Sequence, residues 1–334
     1  MRICMVGSGR MAGVHSRALQ NVSGVQLHTV VDPDLEYAEM LRQRFGYERA
    51  LSSLDDALAD ERLDAVVICT PNALHAAQSA AALRAGKHVL CEIPLALSLA
   101  EAEALVRLAA EKGLRLMVCH TERFETGRIE LRRRIAAGEL HPLHIIACFF
   151  MFRRGELKTG QARRGWVDNM LWHHGCHTVD AIIDLLGPHV PRDLHVQWGP
   201  PWAPLGLPLD VDLHWRAPRP FDGEEVLVSI SLSHNARWAQ HEYRVIGLED
   251  DWVSSHGTLR RRDEIVVDGA LGSRPVERQD AEFVAAVCEG RAPAVDGSTV
   301  LPTMRILQVA WDIWRLSSSA FRRLEDRQRR RGCG

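Results

Sequence analysis

Arg2-Ile3-Cys4-Met5-Val6-Gly7-Ser8-Gly9-Arg10-Met11-Ala12-Gly13 decides how the first half of this chain is read. Residues 2–6 have the length and composition of a buried strand, and the glycines that follow end it sharply. Gly7 permits a tight turn, and Gly9 lets the backbone approach a pyrophosphate. The small Ala12 lets the next helix pack close to the strand. A helix starting there offers free N–H groups and a positive dipole end to phosphate. Glycines also make plain turns, so the neighbouring sequence decides between the two readings.

The neighbours favour a dinucleotide. A second apolar run, 26–31, ends in Asp32, at about the twenty-residue spacing where an acid accepts from ribose hydroxyls and repels a 2′-phosphate. No arginine stands in Pro33-Asp34-Leu35-Glu36, so NAD is expected, with NADP left open. The competing reading is that Asp32 and Asp34 only cap the next helix. Short apolar runs at 64–69, 87–91 and 115–119 alternate with Ala-rich helical stretches around 73–83 and 99–110. That order predicts an α/β domain, a Rossmann doubly wound parallel sheet with helices on both faces. Ligands of such sheets bind at the carboxyl ends of the strands. Three segments leave those ends: Thr70-Pro71-Asn72-Ala73-Leu74-His75, Glu92-Ile93-Pro94 and His120-Thr121-Glu122-Arg123-Phe124. Each alone reads as an ordinary turn; with the glycines they make a cofactor cleft. The expected cofactor contacts are Gly7, Ser8, Gly9, Arg10, Met11, Asp32, Thr70, Pro71, Asn72, His75, Glu92, Pro94 and His120.

After a helix near 125–137 the pattern changes. Runs at 144–151, 210–215, 225–233, 243–246 and 264–267 read as strands, several of them alternating. They predict an α+β domain with one open, mostly antiparallel sheet carrying helices on its other face. The Pro- and Trp-rich stretch 200–220 reads as a long loop or an interaction surface, and helices are expected around 280–289 and 298–316. The domain boundaries are therefore 1–122 and 123–320, with a frayed basic tail at 321–334.

Within the second domain, Leu171-Trp172-His173-His174-Gly175-Cys176-His177-Thr178-Val179-Asp180 holds three imidazoles in five residues. Asp168 is the expected N-cap, and Gly187-Pro188 the stop. On an α-helix, His173, His177, Asp180 and Asp184 share one face, while Leu171, Thr178, Ile182 and Leu186 lie on another. His174 sits about 100° round from His173, so it either binds substrate or packs on the sheet.

Composition removes several function classes. With 334 residues and a net charge of -2, nothing points to nucleic acid or an anionic membrane. No apolar run approaches the ~20 residues of a membrane span, and strand-like sequence from Arg2 leaves no room for a signal peptide. None of the eight cysteines forms a Cys-x-x-Cys pair. Cys4, Cys69, Cys91 and Cys119 fall in strand-like runs as small apolar fillers, so a reduced, cytoplasmic protein is expected.

On Gly7-x-Gly9 with His15, Thr70-Pro71-Asn72 with His75, Glu92-x-Pro94 and the histidine helix, the chain resembles the Gfo/Idh/MocA oxidoreductases along essentially its whole length. A subgroup that oxidises a carboxylated ring-cleavage semialdehyde is similar at Glu92-Ile93-Pro94-Leu95-Ala96, His120-Thr121-x-Arg123-Phe124 and Phe152-Arg153-Arg154. The match continues through 171–180, Ser231-Leu232-Ser233-x-Asn235 and Gln279-Asp280-x-Glu282-Phe283. The resemblance implies an NAD(P)-dependent dehydrogenase acting on a CH–OH donor, a small carboxylated substrate, and a homodimer or homotetramer formed through the second sheet. It puts His177 at the usual catalytic histidine and His173 at a position that is aspartate in many sugar-oxidising members. Two departures stand out. Ile93 replaces a lysine that many members use as acid/base, and Lys87, Lys112 and Lys158, the only lysines, cannot fill that role by position. The subgroup also carries basic residues after strand two and favours NADP, whereas Asp32-Pro33-Asp34 stands here.

Substrate carboxylates call for arginine, whose planar fork matches them bidentately; Arg123 and Arg154 are the candidates, with His174. A metal site on His173, His174, Cys176 and His177 is the chemical rival, but no HExxH glutamate accompanies them and hydride transfer needs no metal, so none is expected. A sugar or cyclitol substrate, and a non-catalytic NAD-binding regulator, are the remaining alternatives.

Overall fold

The computed structural model describes residues 1–153, 169–269 and 274–317. The chain divides into two units: Met1–Glu125 with Arg274–Leu301, and Thr126–Ser273 with Pro302–Gly334.

The first unit is built on six parallel strands: β1 (Arg2–Val6), β2 (Gln26–Val31), β3 (Arg49–Leu51), β4 (Ala65–Ile68), β5 (His88–Cys91) and β6 (Leu116–Val118). Their order across the sheet is β3-β2-β1-β4-β5-β6. The winding reverses between β1 and β4, which is where doubly wound sheets take their ligands. The strands read as unbroken apolar runs because both faces are covered: Ile3, Cys4, Met5, Val66, Val67, Leu90 and Cys91 have no exposed surface. β3 escapes the sequence pattern because it is three residues long and only half-buried.

Helices α1 (Arg10–Gln20), α2 (Leu35–Phe45), α3 (Leu54–Leu58), α4 (Asn72–Arg84) and α5 (Leu99–Lys112) connect these strands. Their starts follow local chemistry. Asp34 accepts from the Glu36 N–H at the head of α2. At α5, Ser98 Oγ accepts from Glu101 N (3.2 Å) and donates to Glu101 Oε2 (2.8 Å), a reciprocal cap.

Residues 274–301 return to the first unit, which corrects the expected boundary. The helix Pro275–Glu289 packs on α1 and on the short turn Thr121–Phe124. Thr121 Oγ1 donates to Gln279 Oε1 (2.9 Å), and Arg278 donates to Phe124 O (3.0 Å). An amphipathic pattern says that a helix buries one face; it does not say against which sheet.

In the second unit the strands are β7 (Pro142–Phe152), β8 (Arg192–Trp198), β9 (Pro201–Trp202), β10 (Leu207–Pro208), β11 (Asp210–Pro218), β12 (Glu225–Ser233), β13 (Asn235–Gly247), β14 (Asp251–Ser255), β15 (Thr258–Arg261) and β16 (Glu264–Val267). Eight of them form one sheet ordered β16-β15-β14-β13-β7-β12-β11-β8. β7 runs parallel to β12, and the other pairings are antiparallel. Alternation separates its two faces. Val226, Val228, Ile230 and Leu232 are buried beside Val211, Leu213 and Trp215 of β11. The opposite face presents Ile146, Cys148, Ser229, Ser231, Glu242 and Arg244.

The stretch 200–220 is not the single loop expected from its prolines. Pro201–Trp202 and Leu207–Pro208 pair as a short hairpin, and β11 occupies much of the rest. β8, β14 and β15 also went unforeseen, because they are short or interspersed with charge. Helix α6 (Thr126–Ala136) begins beside β15: a Cβ on Gly127 would lie 2.7 Å from Gly257 O, so only glycine permits that approach. Among the described residues no helix is long and apolar enough to cross a membrane. The tail 321–334 lies outside the described residues.

Candidate active site

The glycine loop has the geometry its sequence implies. Gly7 lies at φ +96°, and a Cβ there would fall 2.7 Å from the Cys69 carbonyl oxygen, so no side chain fits. Its N–H donates to Val31 O at 2.7 Å, tying the loop to β2. A Cβ on Gly9 would meet nothing within 4 Å, so the backbone there faces open space. No side chain caps the first turn of α1, and that turn carries no acid. Its N–H groups thus suit a pyrophosphate. Beside the loop a cleft is lined by Ser8, Gly9 and Arg10, with Arg17 and Arg44 adding positive charge and Arg274 paired to Glu277. Met11 is half-buried on the same turn. These residues fit the phosphates of NAD.

Asp32 stands half-buried at the carboxyl end of β2. Its Oδ2 accepts from Ser8 N (3.0 Å) and Ser8 Oγ (2.5 Å), and its Oδ1 accepts from Asp34 N (3.0 Å). The carboxylate is therefore fixed against the glycine loop, while Asp34 serves as the cap of α2.

The segments leaving β4 and β5 are braced by one imidazole. His75, expected as a cofactor contact, is 1% exposed, with Nδ1 2.7 Å from Pro94 O and Nε2 2.9 Å from Thr70 O. Both acceptors are carbonyls, so both ring nitrogens carry hydrogen. Burial pulls its pKa down, but the Cys91 sulfur and the two carbonyls outweigh this and raise it to about 9. Its role is to join the Thr70 turn to the Ile93–Pro94 cis peptide, which corrects the expected direct contact. Thr70 Oγ1 in turn donates to Gln78 Oε1 at 2.5 Å. Pro71 precedes α4 and Asn72, 8% exposed, opens it.

Ile93 is buried and carries no titratable group at the position where many relatives are expected to have lysine. Glu92 accepts from Ile93 N through Oε2 (3.1 Å) and from His15 Nε2 through Oε1 (2.9 Å). His15 also donates from Nδ1 to Asp280 at 2.8 Å and has no exposed surface. Neither His15 nor Asp280 figured among the expected site residues, although both fall in quoted motifs. A buried histidine three positions beyond an Ala-lined helix start was the available signal. The ligand-type atoms of His15, Glu92 and Cys119 lie within 4.8 Å of one another; His15 and Glu92 are hydrogen-bonded directly, and burial keeps the Cys119 thiol protonated. His120 and Arg123 are both buried, in and next to the turn that follows β6.

The second unit holds the histidine helix. It opens as a π-turn, Leu171–Gly175, and continues as α-helix over Cys176–Leu186. Asn169 Oδ1 accepts from Leu171 N (2.9 Å) at its start; the predicted cap Asp168 and the predicted anion-binding Arg154 lie outside the described residues. Wider π-turns are common at functional sites, and this one crowds two imidazoles that an ideal helix would spread. The rings of His173 and His174 meet edge-on, with centroids 4.3 Å apart. A Cβ on Gly175 would lie 3.0 Å from a Leu232 methyl, so the helix presses on β12.

Of the predicted polar face, His173, His177 and Asp184 stay half-exposed and Asp180 is buried. Asp180 accepts from Thr303 Oγ1 (3.1 Å), and Asp184 accepts from Arg132 (2.8 Å), so both are structural. His174 packs on the sheet and stays half-exposed. It stacks on Phe149 of β7 at 4.4 Å, and its Nδ1 lies 2.9 Å from Nε2 of His234. One nitrogen of that pair must lack a proton for the bond to form. Burial chiefly, then His173, His234 and Arg153, holds the His174 pKa well below the usual imidazole value. Burial and Arg153 bring His234 down to about 3. His234 is held through its backbone to Leu209 O and Arg153 N. It was missed because it ends an alternating strand, where one polar residue looks ordinary.

Comparisons with known proteins agree with this construction. The family described as "Oxidoreductase family, NAD-binding Rossmann fold" matches residues 1–120, and "Bacterial oxidoreductases, C-terminal" matches 128–270. The chain is 34% identical over 310 residues to a 4-carboxy-2-hydroxymuconate-6-semialdehyde dehydrogenase of Sphingobium sp., covering 92% of this chain and 96% of that one. It is 33% identical to an NAD-dependent scyllo-inositol 2-dehydrogenase of Bacillus subtilis, over 42% of this chain and 41% of the other. In fold it is similar to levoglucosan dehydrogenase in complex with NADH, with a TM-score of 0.81 at 20% identity, covering 93% of this chain and 96% of that one. The chain belongs to the Gfo/Idh/MocA family of NAD(P)-dependent oxidoreductases and is a dehydrogenase of small molecules.

Proposed function

We propose that this dehydrogenase oxidises the cyclic hemiacetal of a carboxylated ring-cleavage semialdehyde, of the 4-carboxy-2-hydroxymuconate semialdehyde type, to a 2-pyrone-dicarboxylate-type lactone, with NAD as the preferred acceptor. The observation that carries the reading is Ile93, buried where a lysine would serve as acid/base, in a chain whose second unit instead supplies half-exposed imidazoles. The full-length similarity to the Sphingobium enzyme supports the substrate class; the inositol dehydrogenase shares less than half the chain.

Nicotinamide, when bound, supplies the hydride acceptor. Gly7, Ser8, Gly9, Arg10 and Met11 hold its phosphates, Asp32 its adenosine ribose, and Thr70, Pro71, Asn72, Glu92, Pro94 and His120 the segments toward its reactive end. His177 takes the hydroxyl proton of the hemiacetal as the carbon–hydrogen bond breaks, a role for which an imidazole suits neutral pH. His173 assists, and the His174–His234 pair fixes the ring arrangement, with the half-exposed His174 beside the substrate. Arg123 and Arg154 bind the substrate carboxylates. The protein works in the cytoplasm as a homodimer or homotetramer associated through the open face of the eight-stranded sheet.

The test is reduced-nicotinamide absorbance with freshly generated semialdehyde, run with NAD and with NADP, on wild type and His177→Ala. Wild type should turn over faster with NAD. The variant should lose turnover by about a hundredfold or more while its NAD affinity, measured by calorimetry, changes little. Equal loss of binding and turnover would make His177 structural, and a silent wild type that binds NAD would remove the substrate assignment.

A further inference from the structure

His15, Asp280 and Glu92 form a line of charge inside the first unit. The imidazole has no exposed surface, and each of its nitrogens faces a carboxylate: Nδ1 lies 2.8 Å from Asp280, and Nε2 lies 2.9 Å from Glu92. Asp280 is itself fully buried, whereas the Glu92 side chain keeps 13% of its surface open. The line therefore has a sealed end and one end that reaches the surface, at the turn leading into Pro94. Its sealed end is locked in turn. Gln279 donates to Asp280 (3.3 Å) and accepts from Thr121 Oγ1 (2.9 Å), on the turn that follows β6. The far oxygen of Glu92 accepts from Ile93 N. Neither oxygen of Glu92 is thus left to choose its own direction.

Helix packing alone does not explain this. Burying an ion pair is costly, and apolar residues of similar volume hold helices together as well or better. What the arrangement delivers is a carboxylate fixed in direction at the one place where the line opens. We propose that His15 and Asp280 are positioning residues that hold the Glu92 carboxylate in the orientation it uses to bind the nicotinamide end of the cofactor. The inference rests on the reading that Glu92 touches the cofactor.

The charge states support the geometry. Burial works against a proton on His15, but Asp280 first and Glu92 second raise its pKa to about 10. The other titratable groups facing the line are the thiols of Cys69 and Cys119, which burial keeps protonated, with Cys91 and the Tyr47 phenol alongside. Removing the Asp280 charge therefore removes the larger of the two influences that keep His15 charged.

The experiment is NAD binding by calorimetry from about pH 6 to about pH 9, across the range where an unassisted imidazole titrates, for wild type, Asp280→Asn, Glu92→Gln and the double variant. Wild-type affinity should stay flat over this range. Asp280→Asn should lose about tenfold at the alkaline end, the worth of one charge-assisted hydrogen bond, and much less at the acid end. In the Glu92→Gln background the same change should add less than about twofold, because coupled residues are not additive. A flat Asp280→Asn profile, or a loss that multiplies undiminished onto Glu92→Gln, overturns the proposal. Full NAD affinity in Glu92→Gln alone would instead overturn the reading beneath it. Should Asp280→Asn fail to fold, ring-nitrogen NMR of the wild type decides: NAD must move the His15 Nε2 resonance, and an unmoved resonance overturns the assignment.

Discussion

Acid should weaken the second unit through His234. The ring is 1% exposed, Nε2 lies 2.9 Å from His174 Nδ1, and burial with Arg153 brings its pKa to about 3. In the unfolded chain the same imidazole titrates near ~6.5. Above that pH neither state holds the proton, and the depressed value has no effect on stability. Below it the unfolded chain takes up a proton that the folded ring refuses, so stability falls with pH until the folded ring titrates as well. Between about pH 7.5 and about pH 5 the difference amounts to roughly 1.5 pK units, or about 2 kcal/mol. All nine tryptophans lie between Trp166 and Trp314 in the second unit, so their fluorescence follows its unfolding. Urea titrations of wild type and His234→Gln at the two pH values give the comparison. Glutamine keeps a polar partner for His174 and cannot titrate, so contributions from other groups cancel in the difference. The wild type should lose about 2 kcal/mol more than the variant. Equal losses would refute a buried neutral ring at this position.

Two further outcomes are expected in the first unit. Gly7→Ala puts a methyl group 2.7 Å from Cys69 O at positive φ, so the loop must move by a cost of about 1–3 kcal/mol; NAD affinity by calorimetry should fall more than about tenfold, and an unchanged affinity would mean the loop does not hold phosphate. Asp32→Ala removes the carboxylate that Ser8 now anchors and should shift the ratio of kcat/KM for NAD over NADP toward NADP by about tenfold or more, a ratio read directly from initial rates; no shift would end its role in cofactor choice.

The first unit was almost fully legible because its strands are buried on both faces and bounded by glycine and proline. Residues 65–68 are an unbroken apolar tetrad and 89–91 an apolar triad, and such runs leave few alternatives. What escaped were features whose meaning is not local. β3 is three half-buried residues. The helix Pro275–Glu289 has an apolar face that would suit either sheet, and only Asp280 meeting His15 and Gln279 meeting Thr121 decide which one it joins. In the second unit β8, β14 and β15 are short, with charged or polar residues facing outward, so their alternation is hard to tell from loop.

The histidines mark where sequence reading stops and why. His15, His75 and His234 are buried and His174 is half-buried, yet their surroundings favour two opposite charge states. His15 and His75 face acceptors on both nitrogens and hold their protons. His174 and His234 face each other, an aromatic ring and an arginine, and shed theirs. Spacing identified the helix on which imidazoles gather; it carried no information about partners 60 residues away in the chain, as for His174 and His234, or 265 away, as for His15 and Asp280. The consequence for chemistry is a division of labour among like residues. Cationic histidines brace the strand-end turns of the first unit, and neutral ones brace the second. His173 and His177 stand half-exposed on the same helix as His174, and in the proposed function they exchange the proton with substrate.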